Sequence, residues 1–306
     1  MSHKNDTNEV RELKPAKTYE EQVNILKCRG LYIDDDATAI ECLSALNYYR
    51  LRGYYIHLQN GDEFMPGVSL SQIVSIHSFD SELRLLLLRL LFDIEIIART
   101  RIAYEIGHAW GPIGYKEEAN YEKCNPKDFK DLMDRIQADT DNSKERFIRI
   151  HNEKYGHQFP IWVAVETMSF GDLSKLFSLI PPKHQTNIAN EYQGLDRVLL
   201  RNWLKAFTLL RNICAHNGRI YARFFTDRIR IEKKLEKYIQ KTIGSTFAIS
   251  NKSLFAYLLA LRRVSRPETW NYFLSELVSL FEKNASIIEL KRIGFPNQWR
   301  SILLPK

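Results

Sequence analysis

SELRLLLLRLLFDIEIIARTRIAYEIGHAW, residues 81–110, sets Leu83, Leu87, Leu90, Ile94 and Ile97 at intervals of three and four. That spacing is the repeat of an α-helix whose apolar side chains share a face. Near residue 87 leucines almost surround the axis, and a helix apolar on most sides belongs in the middle of a core. Its greasiest part, LLLLRLLF at residues 85–92, is broken by Arg89. It falls far short of the run of about 20 apolar residues that spans a bilayer. Gly111-Pro112 closes the helix. Upstream, Ser69-Leu70-Ser71-Gln72 has the capping-box pattern, and Ser78 predicts a break with a second cap that leads into Asp80.

The same signals extend in both directions. Thr18-Tyr19-Glu20-Glu21 is a capping box opening a helix with Val23 and Leu26 inward and a stop at Gly30. A second helix starts in Asp34-Asp35-Asp36 and carries Ala39, Leu43 and Leu46. YRLRGYYIHLQNGDEF, from Tyr49, holds Asn60-Gly61 and reads as a short hairpin or an extended connection. Beyond residue 110, Asn125-Pro126 supplies a cap and a first-turn proline. Helices follow after Asp141, Pro160 and Gly171 and over residues 182–192. A long one is expected over residues 195–225, then others over 227–243, 251–264 and 267–284. The tail ELKRIGFPNQWRSILL docks through Phe295-Pro296 and Trp299. The chain is all-α. Residues 1–17 read as a flexible arm and 18–68 as an N-terminal helical and extended elaboration. Residues 69–243 form a helical core, and 244–306 a C-terminal helical lobe and tail. The weakest join is Ile243-Gly244-Ser245-Thr246.

Composition narrows the class. With 44% hydrophobic and 26% charged positions among 306 residues, the chain is globular rather than disordered or collagen-like. Thirteen glycines and ten prolines are few for a chain of many tight β-turns. The opening MSHKNDTNEV lacks the apolar run of a signal peptide. Cys28, Cys42, Cys124 and Cys214 form no C-x-x-C pair, and the histidines lack metal-ligand spacing. A cytoplasmic protein with no metal, no cofactor and no membrane partner is expected. Lys+Arg 44 against Asp+Glu 37 leaves a net charge of +7, which permits a polyanionic partner.

Chemistry concentrates in LLRNICAHNGRIYARF, residues 209–224. Projected as a continuous helix, Trp203, Phe207, Leu210, Ile213, Cys214, Ile220, Tyr221 and Phe224 form one apolar arc. Arg211 and His216 border the opposite side, about 140° apart at 100° per residue. Ala215, Gly218 and Ala222 lie between them with Asn212 and Arg219, and Arg223 lies close to His216. The expected surface is a trough floored by small residues and walled by Arg and His, open to a phosphodiester or a second copy of the helix. Metal-free RNA cleavage needs a proton acceptor or donor at the 2′-hydroxyl or the leaving 5′-oxygen, and cations for the phosphorane. Histidine titrates near neutral pH, and arginine offers a planar fork that matches phosphate oxygens. Asn212, four residues before His216, could orient its ring, and Arg219 or Arg223 could hold flanking phosphates. The bare R-x4-H pattern also occurs as Arg52…His57 and Arg146…His151, and Arg101…His108 fits the looser form. The ordinary reading of such a pair is solvated or hydrogen-bonded. What distinguishes Arg211…His216 is the fuller context R-N-x-x-A-H-x-x-R-x-x-x-R.

Several segments together carry a resemblance: YEEQVNILKCRGLYI (19–33), LNYYRLRGYY (46–55), FDSELRLLLLRLLFDIEIIARTRIAYEIG (79–107), PIWVAVETMSFGDLSKLF (160–177), LRNICAHNGRIYAR (210–223) and IGFPNQW (293–299). In these the chain resembles the abortive-infection (Abi) proteins of the AbiD/AbiF type, a bacterial phage-defence family placed in the HEPN superfamily. The resemblance covers most of the chain. It implies a HEPN-type helical bundle with N- and C-terminal elaborations. It further implies that the R-x4-6-H element forms a metal-independent ribonuclease site, often completed across a homodimer. Carried over, Arg211 and His216 are the catalytic pair and Asn212 is the polar residue that commonly follows the arginine. Some HEPN toxins carry a tyrosine two residues after the histidine. Here that position is Gly218, so regulation through such a tyrosine is not expected. The function implied is an endoribonuclease effector of abortive infection. The alternative is a non-catalytic HEPN protein that binds, or is regulated by, a small structured RNA. A third reading is a protein scaffold that senses a phage component.

Other residues admit two readings each. Glu95 and Arg99, at i and i+4, form a structural ion pair or support the Arg211…His216 site from a neighbouring core helix, and Arg84 could serve likewise. RIYARFFTDRIRIEKK, from Arg219, interleaves Arg219, Arg223, Arg228 and Arg230 with Tyr221, Phe224 and Phe225. It reads as a phosphate-binding stripe with stacking rings, or as one helix with a core face and a wet face. Arg262-Arg263 and Arg266 could extend a basic surface, and Trp162 reads as core or dimer packing.

Overall fold

The computed structural model describes residues 13, 15–122, 124–243 and 250–304. Most of the expected arm over residues 1–17 lies outside them, as does Gly244-Ser245-Thr246 of the weakest join. The described chain divides into two compact units, with the boundary between His77 and Ser78.

The first unit opens with helix α1 (Tyr19–Cys28), where both halves of the capping box form. Thr18 Oγ accepts the Glu21 N–H at 3.2 Å, and the Glu21 carboxylate accepts the Thr18 N–H at 2.9 Å. Asp35 caps α2 (Asp36–Ala45) through the Thr38 N–H at 2.7 Å. Tyr48–Tyr55 forms α3, so the stretch before the hairpin is helical rather than extended. The hairpin itself is present, β1 (Gln59–Asn60) antiparallel to β2 (Glu63–Phe64). Gly61 takes φ +64° at its first turn position, where a two-residue hairpin needs glycine's freedom. Val23, Leu26, Leu43, Leu51, Tyr54 and Tyr55 are buried in this unit.

Leu70–Trp110 is one helix, α4, of 41 residues. Ser69 Oγ accepts the Gln72 N–H at 3.1 Å and caps it, but the break expected at Ser78 does not occur. Asp80, expected to follow a second cap, turns its carboxylate to the side chain of Arg84 and to backbone groups far along the chain, described below, and so does not compete for the backbone of its own helix. Phe79, Leu83, Leu87, Leu90, Ile94, Ala98, Ile102 and Ile106 are fully buried along one side. The helix is not enclosed, however. Leu85, Phe92, Ile96 and Tyr104 stay exposed, because no described element covers that side.

Around α4 the second unit arranges α5 (Pro126–Asn142), α6 (Arg146–Tyr155), α7 (Ile161–Thr167), α8 (Phe170–Leu179), α9 (Pro182–Asn190) and α10 (Arg197–Ala215). Caps fix several starts: Asn125 on α5, Ser169 on α8 and Asp196 on α10. The main packing partner of α10 is α8, with α9 and α12 (Leu254–Val264) also against it. α11 (Lys233–Ile243), α13 (Pro267–Lys283) and α14 (Trp299–Leu303) complete the order. The tail docks as expected: Phe295 and Trp299 are buried and meet Phe281 at ring separations of 5.1 and 5.5 Å. No described helix is long and apolar enough to cross a membrane. The all-α expectation holds. The helix expected over residues 195–225 does not, since α10 stops at Ala215 and residues 216–232 run irregularly up to α11.

Candidate functional site

The end of α10 is a Schellman turn. His216 is the cap, Asn217 takes φ +55°, and the Asn217 N–H donates to Cys214 O at 3.2 Å. The Gly218 N–H then donates to Ile213 O at 2.7 Å. A Cβ on Gly218 would stand 3.0 Å from Ile213 Cγ2 and 3.1 Å from Ile213 O, so the close return suits glycine. The helical projection therefore fails beyond His216. Gly218, Arg219, Ala222 and Arg223 do not continue a trough along the helix, and Ala222 itself takes φ +52°.

A residue of α4 holds the returning chain. Asp80 is fully buried, and its carboxylate accepts the Tyr221 N–H at 2.6 Å and the Ile220 N–H at 3.1 Å. It also pairs with Arg84, which is 3% exposed. Arg84 thus braces Asp80 rather than the Arg211 region. Arg219, expected to hold phosphate, donates to the carbonyls of Tyr221 and Ala222, and Arg223 donates to Arg219 O at 3.4 Å. Both are braces of this loop. Further on, Asn202 of α10 brackets the chain: its Nδ2 donates to Arg228 O at 2.9 Å and its Oδ1 accepts the Arg230 N–H at 2.7 Å. Only the backbone is held there. The side chains of Arg228 and Arg230 are exposed and have no protein partner among the described residues. Phe224 is exposed while Phe225 is buried against Tyr257.

Glu95 joins two arginines. It is 5% exposed, and Arg99 donates to its Oε1, to the Val165 carbonyl and to Met168 O at 2.7 Å. Those carbonyls end α7, where helical partners run out, so Arg99 fastens α4 to α7. On the other side, Arg211 Nε stands 3.5 Å from Glu95 Oε2, an ion pair without a hydrogen bond between the two atoms. Arg211 also donates from Nη1 to Asn212 Oδ1 at 3.2 Å. The amide expected to orient His216 is therefore turned to the arginine. His216 is exposed, and its ring has no side-chain partner among the described residues. Two of the alternative histidines differ: His108 and His151 each place Nδ1 on the carbonyl four residues back, at 2.8 and 3.0 Å.

The family of Abi-like proteins matches residues 41–222, more than half of the chain. The chain belongs to this family. Membership makes it a protein of abortive infection, the phage-defence response. No curated protein and no solved structure matches it. The matched span takes in Asp80, Glu95, Arg99, Arg211 and His216, and it ends before Arg223, Arg228 and Arg230.

In this Abi-like protein, α10 thus ends in a fixed cation followed, five positions on, by an exposed imidazole. Arg211 keeps 28% of its side chain exposed while Glu95 holds it from behind. The neighbouring Cys214 is not a candidate nucleophile. Burial, with the charge of Asp80 adding to it, pushes its thiol up to about 12, so it stays protonated near neutral pH. The sequence reading overlooked Asp80 and Asn202 as organising residues. An aspartate set four residues before an arginine in an apolar helix was the available signal for the first. Nothing local marked the second.

Proposed function

We propose that this Abi-like protein is a metal-independent endoribonuclease of abortive infection, built on a HEPN-type bundle and acting on RNA in the cytoplasm. The carrying observation is the pairing at the end of α10: Arg211 anchored by buried Glu95, and His216 exposed at the helix cap. The reaction follows from those groups. His216 takes the proton of a 2′-hydroxyl as that oxygen attacks phosphorus, or returns one to the 5′-oxygen as the P–O5′ bond breaks. The products are a 2′,3′-cyclic phosphate and a 5′-hydroxyl. Arg211 offsets the charge that builds on the phosphorane, and its worth lies in being held before the substrate arrives. Glu95, Arg99 and Asn212 position it. The test is purified protein and RNA in excess EDTA, where cleavage leaving cyclic-phosphate ends is expected. Cleavage that appears only on adding Mg²⁺ would sink the reading.

Non-catalytic RNA binding is favoured by one observation, that no side chain among the described residues orients the His216 ring. Under that reading RNA binds in a salt-sensitive way, and growth arrest survives His216→Ala.

The partner in either case includes a second copy of the chain. Leu85, Phe92, Ile96 and Tyr104 leave an apolar strip open along α4, and Trp162, 53% exposed, adds to the exposed apolar surface from α7. Trp162 is therefore not a core residue. Burying an apolar side chain of this size is worth about 1.5–3 kcal/mol. Light scattering is expected to give a dimer for wild type and a monomer for Phe92→Asp with Ile96→Asp, at unchanged helical content. A dimer that survives the pair of aspartates rules this surface out.

A further inference from the structure

Where α8 and α10 lie side by side they leave a cavity of about 480 Å³. Lys175 lines it from α8, Arg201 and Lys205 from α10, and Arg230 from the irregular chain that Asn202 brackets. No acidic residue is among the lining residues. Lys175 is paired with Asp128 at 2.9 Å and Lys205 with Asp227 at 3.3 Å, so each is partly neutralised from outside the cavity. Arg201 and Arg230 have no such partner among the described residues. The floor is small and polar: Gly171, Ser174 and Ser178. Ser174 is 9% exposed, and its hydroxyl makes no hydrogen bond to the protein among the described residues. A hydroxyl that lines the same cavity as two guanidinium groups, with no protein partner for any of the three among the described residues, suits an anion with several acceptor oxygens.

The position of the cavity on α10 says which anion. Arg201, Lys205, Thr208 and Asn212 stand at i, i+4, i+7 and i+11, so they form one stripe along the helix. It spans about 16 Å at 1.5 Å per residue. It ends at Asn212, which bonds Arg211. We propose that the α8–α10 groove is a phosphate subsite that grips the RNA backbone a few nucleotides from the bond presented to His216. The assignment rests on the ribonuclease reading for its ligand, and it gives the RNA strand a direction along α10. Arg201 and Arg230 each take the oxygens of one of two neighbouring phosphates with their planar forks, and Ser174 donates its hydroxyl. Contacts of this kind set position and affinity rather than base preference.

The test uses the full chain and a short labelled single-stranded RNA, with anisotropy read over a range of salt. Arg201→Ala with Arg230→Ala is compared with Lys183→Ala with Lys144→Ala, which removes the same charge from exposed sites off the groove. The groove variant is expected to lose about tenfold in affinity, and its log–log salt slope to shrink by about 1.4, at roughly 0.7 per phosphate on a single strand. The control is expected to change much less. Equal losses in the two variants, or none, overturn the proposal. So does RNA that fails to bind while inorganic pyrophosphate is held by wild type and lost by the groove variant. Groove-dependent RNA binding by a wild type that never cleaves supports the subsite and overturns the nuclease reading alone.

Discussion

His216→Ala is expected to lower RNA cleavage by roughly 10²–10⁴-fold, the usual contribution of a positioned acid or base, while the protein keeps its fold and its affinity for RNA. The ring is exposed and makes no hydrogen bond, ion pair or ring contact to another side chain among the described residues, so stability should stay within about 0.5 kcal/mol of wild type. The cap bonds at this position come from backbone groups, which alanine retains. Arg211→Ala should be comparably inactive, since a lost charge stabiliser typically costs about 10²–10³-fold. It differs in leaving Glu95 with one partner instead of two, so it should also lose some stability. Arg211→Lys is not expected to rescue it, because a point charge lacks the fork that reaches Glu95 and a phosphate together. The pair of alanines should be little worse than either alone if the two act in one step. Cleavage is read on RNA gels and arrest by growth on induction. Cleavage that persists in both single variants would falsify the assignment of this pair. Arrest that persists in His216→Ala without any cleavage by wild type would move the function to RNA binding.

Much of the architecture is written in local signals. Thr18, Asp35, Asn125 and Asp196 each sit where a cap is needed, and the leucine repeat of α4 marks its buried side correctly. The error over residues 216–225 is instructive, because a local signal was present there too. Asn217-Gly218 is a helix stop, with asparagine in the left-handed position and glycine making the return. It was masked because Ile220 and Tyr221 keep the helical period by coincidence. They are buried, but a carboxylate about 140 residues earlier holds their backbone N–H groups, and the Tyr221 ring meets Phe79 of α4 at 6.0 Å. Arg219 shows a second limit of local reading. A guanidinium that binds phosphate and one that binds two carbonyls of its own loop look alike in sequence. The pairing of Glu95 with Arg211 is equally non-local. Residue type and position made both candidates, but only the packing of α4 beside α10 brings them within 3.5 Å. The groove was further from view: Lys175, Arg201 and Arg230 come from three segments, and only Arg230 attracted notice as a cation in a basic tract.

Asp80→Ala is expected to cost about 3–5 kcal/mol of stability, the usual penalty for breaking a buried ion pair from one side, read as a fall in the urea midpoint. Three separate debts of solvation arise from that one change. The buried N–H groups of Ile220 and Tyr221 lose their acceptor, and the guanidinium of Arg84, 3% exposed, loses its counter-charge. A domain of ordinary stability has about 5–15 kcal/mol in total, so the loss is a large fraction of it. The chain leaving His216 is also released, so cleavage should fall even under conditions where the variant stays folded. Asp80→Asn separates the contributions. Its amide oxygen can still accept a backbone N–H, but the negative charge beside Arg84 is gone, so an intermediate loss is expected. Adding Arg84→Met to Asp80→Asn removes that buried guanidinium while keeping a side chain of similar reach, and the midpoint should partly recover. A single Asp80→Ala variant as stable as wild type would show that water or another group replaces the carboxylate. A double variant no more stable than Asp80→Asn would show that the acceptor for Ile220 and Tyr221, not the ion pair, is what holds the chain behind His216.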